Sequence, residues 1–304
     1  MPFFQTALRR AYDNPWLLIA LACVFWAGNA VAARVAIGEI SPMLLVSGRW
    51  GISCLILLAI GWRPFLRDWP ALAPHWLRIG LMGCSGFTLF TVLFYVSAHY
   101  TTGVNLAIIQ GVSPVFVLLG AWVTWRTNVT AVQAAGCALT LVGVALVATH
   151  GDLFALGEFD FRIGDLGVLA AAIIYSGYTL SLRNKPKSSA IGFFVAMMFA
   201  GLLSSLPFAA WEGLTGRMGW PSATGWMVLL YTAIFPSLLA QLFFIRAVEL
   251  LGPGRATLFF NLTPALGAIF SAAFLHEAFE PYHAAALAFV IGGVVIAERF
   301  GRRA

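Results

Sequence analysis

Ten apolar stretches, each about long enough to cross a lipid bilayer, take up most of this 304-residue chain. The hydrocarbon core of a bilayer is ~30 Å thick, a distance that an α-helix covers in roughly 20 residues. Apolar residues make up 61% of the sequence and charged residues 10%, and a soluble domain could not bury that much apolar surface. The sequence therefore predicts an all-α integral membrane protein.

We expect ten transmembrane helices, joined mostly by short connections. Their ranges are 15–38, 42–61, 77–98, 103–125, 130–149, 164–182, 189–211, 224–245, 255–275 and 281–299. Longer connections are expected at 62–76, 150–163 and 212–223. None of these is long enough to hold a soluble domain.

Basic residues are distributed unevenly along the chain. If the N-terminus is cytoplasmic, all but four of the 18 Lys and Arg fall in cytoplasmic segments, the exceptions being Arg34, Arg49, Arg162 and Arg217. This positive-inside pattern predicts a multi-pass protein of the cytoplasmic (inner) membrane with both termini in the cytoplasm. The net charge of +6 then reflects topology, so we expect membrane lipid and no nucleic acid as a partner.

The second half of the chain repeats the first. Residues 105–147 align with 255–297 at a constant offset of 150, which places Pro114 on Pro264. At a nearly equal offset, Trp26-Ala27-Gly28 aligns with Tyr175-Ser176-Gly177, and Arg34 aligns with Arg183. Chance coincidence of small residues does not account for two aligned prolines within an ungapped run.

Each half of the chain holds five of the expected spans. Because five is odd, the second copy enters the membrane from the opposite face, which makes this an inverted-topology repeat. Such repeats are chiefly a transporter architecture, with substrate held between the two copies. We therefore expect two inverted five-helix repeats, 14–149 and 164–300, around a central cavity, and a protein that functions as a monomer.

Several motifs can be compared with a known family. They are Phe-Trp-Ala-Gly-Asn-Ala-Val-Ala-Ala-Arg from Phe25, Ser-Pro-Val-Phe-Val-Leu-Leu from Ser113, Asn-Leu-Thr-Pro-Ala-Leu-Gly from Asn261, and Leu-His-Glu from Leu275. In this order and spacing the chain resembles the EamA family of the drug/metabolite transporter superfamily, and most closely its bacterial aromatic amino acid exporters. The resemblance implies an exporter that works by alternating access.

The sequence departs from the EamA pattern at one point. The Gly-Glu pair that usually ends the fourth helix of a unit stands as His276-Glu277 in the second copy, whereas Thr127 occupies the position in the first. A carboxylate is therefore not required symmetrically for transport.

Polar residues inside the spans are candidates for substrate binding, because such groups are costly unless they face the bundle interior or water. Thr91, Tyr95 and His99 follow one another at intervals of four residues and share a helix face. The other candidates are Trp26, Asn29, Gln110, Tyr175, Tyr178, Gln241 and Asn261. The alternative is interhelical hydrogen bonding, worth ~0.6 kcal/mol on average, and His99 could instead lie at the membrane interface.

Pro114 and Pro264 are predicted to lie in the middle of their helices. Each proline removes a backbone hydrogen bond, leaving the carbonyls of Gln110 and Phe260 without their usual donor. We expect a hinge at both prolines, since alternating access needs equivalent joints in the two halves. A static packing kink is the alternative.

The absence of acidic residues near the middle of any span disfavours a strongly cationic substrate. Arg49, six or seven residues into its span, is expected to snorkel towards the membrane surface. An aromatic, hydrogen-bonding interior suits an uncharged or zwitterionic solute with an apolar ring. We predict an exporter of aromatic or hydrophobic amino acids and related metabolites, with other amphipathic metabolites or drugs as the alternative substrates.

A membrane enzyme is the alternative from another class of protein. Its nearest candidate cluster is His276, Glu277, Glu280 and His283, which lacks the His-Glu-x-x-His spacing and is more simply read as a solvated helix end. Cys23, Cys54, Cys84 and Cys137 lie in four different spans without metal-ligand spacing. We therefore expect no catalytic residues, no metal and no cofactor.

Overall fold

The structure is a computed structural model that describes residues 12–126, 129–152, 162–251 and 262–299. Over these ranges the regular secondary structure is entirely helical, with no β-strand. The all-helical part of the sequence prediction is therefore confirmed.

Thirteen α-helices can be numbered in chain order within the described ranges. The first half contains α1 (Pro15–Val35), α2 (Pro42–Leu72), α3 (Trp76–Gly83), α4 (Phe90–Ser97), α5 (Gly103–Gln110), α6 (Ser113–Trp125) and α7 (Ala131–Ala148). The second half contains α8 (Ile163–Ser181), α9 (Ala190–Leu214), α10 (Ala223–Thr232), α11 (Ala240–Leu251), α12 (Leu262–Leu275) and α13 (Pro281–Arg299). Helix α3 continues into α4 through a π-helical turn, Cys84–Leu89, and α10 continues into α11 through another, Ala233–Leu239.

Within the described residues, six helical stretches are long and apolar enough to cross a membrane. They are Pro15–Val35, Pro42–Ser97, Gly103–Trp125, Ile163–Asn184, Ala190–Leu214 and Ala223–Val248, and three shorter apolar helices are Ala131–Val147, Leu262–Leu275 and Pro281–Ala297. The stretch Pro42–Ser97 is 56 residues long and contains two of the predicted spans. These lengths and compositions fit a multi-pass membrane fold.

The connection predicted at 62–76 is mostly helical, so the second span does not end at residue 61 as predicted. Helix α2 runs on to Leu72, and a single 3₁₀ turn, Ala73–His75, leads directly into α3. Leu57, Gly61 and Phe65 are buried at intervals of four residues, so one face of the extension packs against the bundle. That burial outweighs the cost of the two prolines that the helix contains.

Helices α2 and α9 cap each other's N-termini. Near the end of α2, the Asp68 carboxylate accepts hydrogen bonds from the Ser189 amide, at 2.7 Å, and from the Ser189 hydroxyl. Near the end of α9, the Glu212 carboxylate accepts from the amides of Met43, at 3.3 Å, and Leu44, at 3.1 Å. Each carboxylate meets the positive end of a helix dipole, and this pairing of ends makes the two helices antiparallel.

Removing the Glu212 carboxylate is expected to destabilise the fold. In Glu212→Ala the two amides at the start of α2 lose their acceptors, which costs about 1–3 kcal/mol. Glu212→Gln keeps one acceptor oxygen and should lose less. The measurement is the thermal unfolding midpoint of each purified variant in the same detergent. Equal midpoints for Glu212→Ala and wild type would show that water replaces the cap.

Helices α7 and α13 approach each other through backbone atoms. A Cβ atom added to Gly293 would lie 2.4 Å from the Gly136 carbonyl oxygen, and one added to Gly143 would lie 2.7 Å from the Ala286 carbonyl oxygen. The two contacts are equivalent in the repeat, because at the offset of 150 Gly143 aligns with Gly293 and Gly136 aligns with Ala286. The pair of helices is therefore antiparallel and pseudosymmetric.

The remaining helix contacts follow the same pattern. Helix α5 packs against α12, with Gly103 beside Ser271 and Gly111 beside Pro264. Helix α1 packs against α11 and α12, while its counterpart α8 packs against α4 and α6. When the two halves of the chain are exchanged, the contacts of α1 with α11 and α12 map onto those of α8 with α4 and α6.

Candidate functional site

The helices from both halves of the chain surround a central cavity. Nine of the predicted site residues line it: Trp26, Asn29, Thr91, Gln110, Pro114, Tyr175, Tyr178, Gln241 and Pro264. The lining also contains residues that were not among the predicted site residues, chiefly Arg49, Trp50, Phe87, Phe90, Phe194 and Ser237.

Three predicted site residues stand apart from this group. Tyr95 is buried and is not one of the lining residues, but its hydroxyl forms hydrogen bonds with two residues that are, Arg49 and Asn29. His99 lies two residues beyond α4, exposed to the surroundings, and partial burial together with the Arg34 charge lowers its pKa. Asn261 lies outside the described residues. A role for these three residues in substrate binding remains a prediction.

The span that contains Pro114 is broken, which corrects the prediction that this proline lies mid-helix. Helix α5 ends at Gln110, and α6 begins at Ser113, so Pro114 is the second residue of a new helix. The Gln110 carbonyl is not left without a donor, since the Ser113 hydroxyl donates to it at 2.9 Å. Pro264 is the third residue of α12 as described. The broken backbone lines the cavity, where transporters tolerate it.

The two π-helical turns occupy equivalent positions in the two halves. Within them, Phe87 maps on Pro236 at an offset of 149. The Phe87 carbonyl accepts from the Trp50 indole at 3.2 Å, and the Pro236 carbonyl accepts from the Trp26 indole at 3.0 Å. A tryptophan from a neighbouring helix thus satisfies the same irregular backbone position in each half. Such π turns frequently occur at functional sites.

Aromatic rings form one wall of the cavity. Trp50 stacks on Phe87 with ring centroids 4.7 Å apart, and Phe87 meets Tyr178 edge-on at 5.9 Å. Phe90 contacts Tyr175 at 5.0 Å. These faces offer an apolar surface to a planar ring, through offset or edge-to-face contacts.

Arg49 is buried beside the cavity, and the expectation that it snorkels to the membrane surface is wrong. Only 4% of the residue is exposed. Its guanidinium donates to the Ser237 hydroxyl from two nitrogens, at 2.8 and 2.6 Å, and to the Tyr95 hydroxyl at 2.5 Å. Partners on two other helices thus hold the charge inside the bundle.

A separate charged cluster joins four helix ends. The Arg34 guanidinium donates to the Ala98 carbonyl at 2.6 Å and lies 3.4 Å from the Glu277 carboxylate. Glu277 in turn accepts from the amides of Gly103, at 2.9 Å, and Val104, at 3.0 Å. The carboxylate that the sequence comparison singled out thus caps α5. Thr127, its counterpart in the first copy, lies outside the described residues.

The other members of the cluster weighed as an enzyme site are also at a helix end. The His283 ring nitrogen Nδ1 accepts from the Glu280 amide at 3.0 Å, at the start of α13. In the part of the chain that the structure describes, no group of three His, Cys, Asp or Glu side chains is placed to hold a metal ion.

A polytopic helical membrane protein, with broken helices and π turns around a central cavity, belongs by fold and site to the class of membrane transporters. A model of the EamA-like transporter family matches the chain twice, over residues 15–149 and 162–298. The chain is therefore a member of the EamA-like transporter family, in the drug/metabolite transporter superfamily.

Individual relatives span nearly the whole chain. The uncharacterized transporter YetK of Bacillus subtilis is 26% identical over 97% of this chain and 91% of its own length. A probable terminal-alkyne amino-acid exporter of Streptantibioticus cattleyicolor is 27% identical over 95% of each chain. A solved crystal structure, 19% identical, superposes with a TM-score of 0.67 over 94% of this chain and 97% of that one. This last likeness concerns the fold alone.

Proposed function

We propose that the protein exports aromatic and other hydrophobic amino acids, and related metabolites, by alternating access across the cytoplasmic membrane. The observation that carries this proposal is the central cavity, which combines an aromatic wall with hydrogen-bonding side chains. Among its described lining residues there is no carboxylate. The similarity to an amino-acid exporter supports the same substrate class.

The proposed architecture is ten transmembrane helices in two inverted repeats, 14–149 and 164–300, with both termini cytoplasmic and one chain as the working unit. The antiparallel pairing of α2 with α9, and of α7 with α13, supports inversion, because equivalent helices of inverted copies run in opposite directions. We propose no enzymatic reaction for this chain.

Reconstitution into liposomes tests the substrate class. We expect labelled phenylalanine and tryptophan to cross faster than in empty vesicles, with threonine and methionine as smaller comparison solutes. If none of the four crosses faster than the control, the substrate proposal is wrong. Repeating the measurement with and without a pH gradient determines coupling; we expect flux that follows the solute gradient without an obligatory proton.

Other amphipathic metabolites or drugs are the second candidate substrates, because the same aromatic wall would accept them. A panel of aromatic solutes lacking the amino acid group, tested as competitors in the liposome assay, separates the two. Competition by these solutes as strong as that by phenylalanine favours the broader specificity.

The break before Pro114 is expected to be a moving joint. Pro114→Ala restores an amide hydrogen that can close the gap to the Gln110 carbonyl, so the helix continues and transport should slow several-fold. Pro264→Ala should act alike. Pro207→Ala is the matched control, because Pro207 lies inside α9 and is not among the lining residues. Unchanged transport in the first two variants assigns the prolines to packing.

A further inference from the structure

We propose that Arg49 is the binding site for a carboxylate of the transported solute. The inference rests on the proposed transport function and deepens it. It names the chemical group that this cavity recognises: an acceptor-only, planar anion attached to an apolar or aromatic body.

The guanidinium of Arg49 has hydrogen-bonding capacity left over. An arginine side chain carries five N–H donors, and the hydrogen bonds to Ser237 and Tyr95 use three. Arg49 also lines the cavity. Two N–H groups of a buried cation are therefore available to a ligand, which is the number that a bidentate carboxylate takes up.

The two hydroxyls that accept hydrogen bonds from Arg49 donate their own hydrogen bonds to other acceptors. Tyr95 accepts from Arg49 and donates to the Asn29 side-chain oxygen at 2.7 Å. Ser237 accepts from Arg49 and donates to the Thr232 carbonyl at 2.7 Å. The Asn29 oxygen already accepts one hydrogen bond, and among the described residues none accepts from its amide nitrogen, which can donate to a ligand. Both Arg49 and Asn29 therefore present donors, which selects an acceptor-only group.

Among the residues that the structure describes, the charge of Arg49 has no partner of opposite sign. The ion pairs formed within the described ranges join Arg34 to Glu277, Arg67 to Asp68 and Arg246 to Asp13. None of them includes Arg49, whose described acceptors are neutral hydroxyls. A buried cation without a counter-charge is costly. An anion that enters the cavity is therefore attracted to Arg49, whereas a cation is repelled. A single arginine matches one carboxylate better than a doubly charged phosphate.

Comparison of the two repeats shows that this charged group occurs in one copy alone. At offsets of 148 and 149, Arg49 aligns with Met197 and Met198, and at 149 Asn29 aligns with Tyr178. Both methionines are buried. The fold is pseudosymmetric while its chemistry is not, so the cavity has a polar side at Arg49 and an aromatic side at Tyr178. A solute with a carboxylate and an apolar ring fits with one orientation.

Paired acids and amides test the proposal by binding. The probes are phenylalanine against phenylalaninamide, and 3-phenylpropionate against 3-phenylpropionamide, titrated into detergent-purified protein with thermal unfolding as the readout. We expect wild type to bind each acid at least about tenfold more tightly than its amide, since hydrogen bonds to charged groups are worth that factor or more. Arg49→Met, which introduces the residue found at the equivalent positions, should abolish the preference.

Two further variants make the result decisive. Arg217→Met removes an exposed arginine that is absent from the described cavity lining and should keep the acid preference. If Arg49→Met does not fold, Arg49→Lys replaces it: a fall in acid affinity with unchanged amide affinity supports the site, since lysine lacks the planar fork. The inference is wrong if wild type binds no acid better than its amide, or if either Arg49 variant keeps the full preference. Acid binding through Arg49 without phenylalanine transport in liposomes would contradict the proposed substrate alone.

Discussion

Replacing Gly86 by valine is expected to reduce transport about tenfold to a hundredfold without preventing folding. Gly86 lines the cavity, and a Cβ atom there would lie 2.4 Å from the Tyr178 ring. The Tyr178 ring must therefore move, and we expect it to move into the cavity and take up space needed by the solute. An over-packed site costs ~1–3 kcal/mol, and each 1.4 kcal/mol is about a factor of ten. The measurement is the initial rate of phenylalanine flux in liposomes.

Gly80→Val is the matched control for Gly86→Val. Gly80 lies on α3, six residues earlier in the same span, and no neighbouring atom lies within 4 Å of a Cβ added there. Flux through Gly80→Val should equal that of wild type. Flux through Gly86→Val at the wild-type rate would show that Tyr178 can move aside without obstructing the solute.

Gly293→Ala is expected to lower the free energy of unfolding by about 1–3 kcal/mol or more, because its methyl group meets a backbone carbonyl that cannot rotate away. Gly143→Ala should have a similar effect, since Gly143 occupies the equivalent place in the other copy. Unfolding midpoints in detergent give the comparison.

The neighbouring Gly292 supplies the control for Gly293. A Cβ atom added to Gly292 meets only the tip of the Leu139 side chain, at 3.9 Å, so Gly292→Ala should keep the midpoint or raise it, because alanine has the higher helix propensity. A drop of the same size in Gly292→Ala and Gly293→Ala would mean that the loss does not arise from the contact between α7 and α13, because Gly→Ala inside a helix otherwise stabilises the folded state.

Much of this fold could be predicted from sequence because membrane spans are specified locally. Twenty apolar residues are enough to identify a helix, and the paired Pro114 and Pro264 were enough to identify a repeat. Many of the cavity-lining residues could be predicted in the same way, since Asn29, Gln110 and Gln241 are polar residues in apolar surroundings and all line the cavity.

The features that escaped prediction depend on contacts distant in sequence. An arginine a few residues inside a span can reach the membrane surface or turn inward, and the partners that decide this for Arg49 are Tyr95 and Ser237, on other helices. The π turns are likewise stabilised from outside, by Trp26 and Trp50. The helical extension beyond residue 61 did carry a local signal. The spacing of Leu57, Gly61 and Phe65 is that of one buried helix face, whereas Pro64 and Pro70 are residues that disfavour a helix interior.

The reciprocal caps of α2 and α9 determine which movements this molecule can make. Translating one helix along the other by a single turn, about 5.4 Å, would pull Asp68 from Ser189 and Glu212 from Met43 and Leu44 at the same moment. The caps thus fix the register of the two helices, and we expect them to move as one rigid unit. In the alternating access proposed above, we expect the cavity to open and close by bending between Gln110 and Ser113 and at the π turns, while α2 and α9 move as one rigid unit.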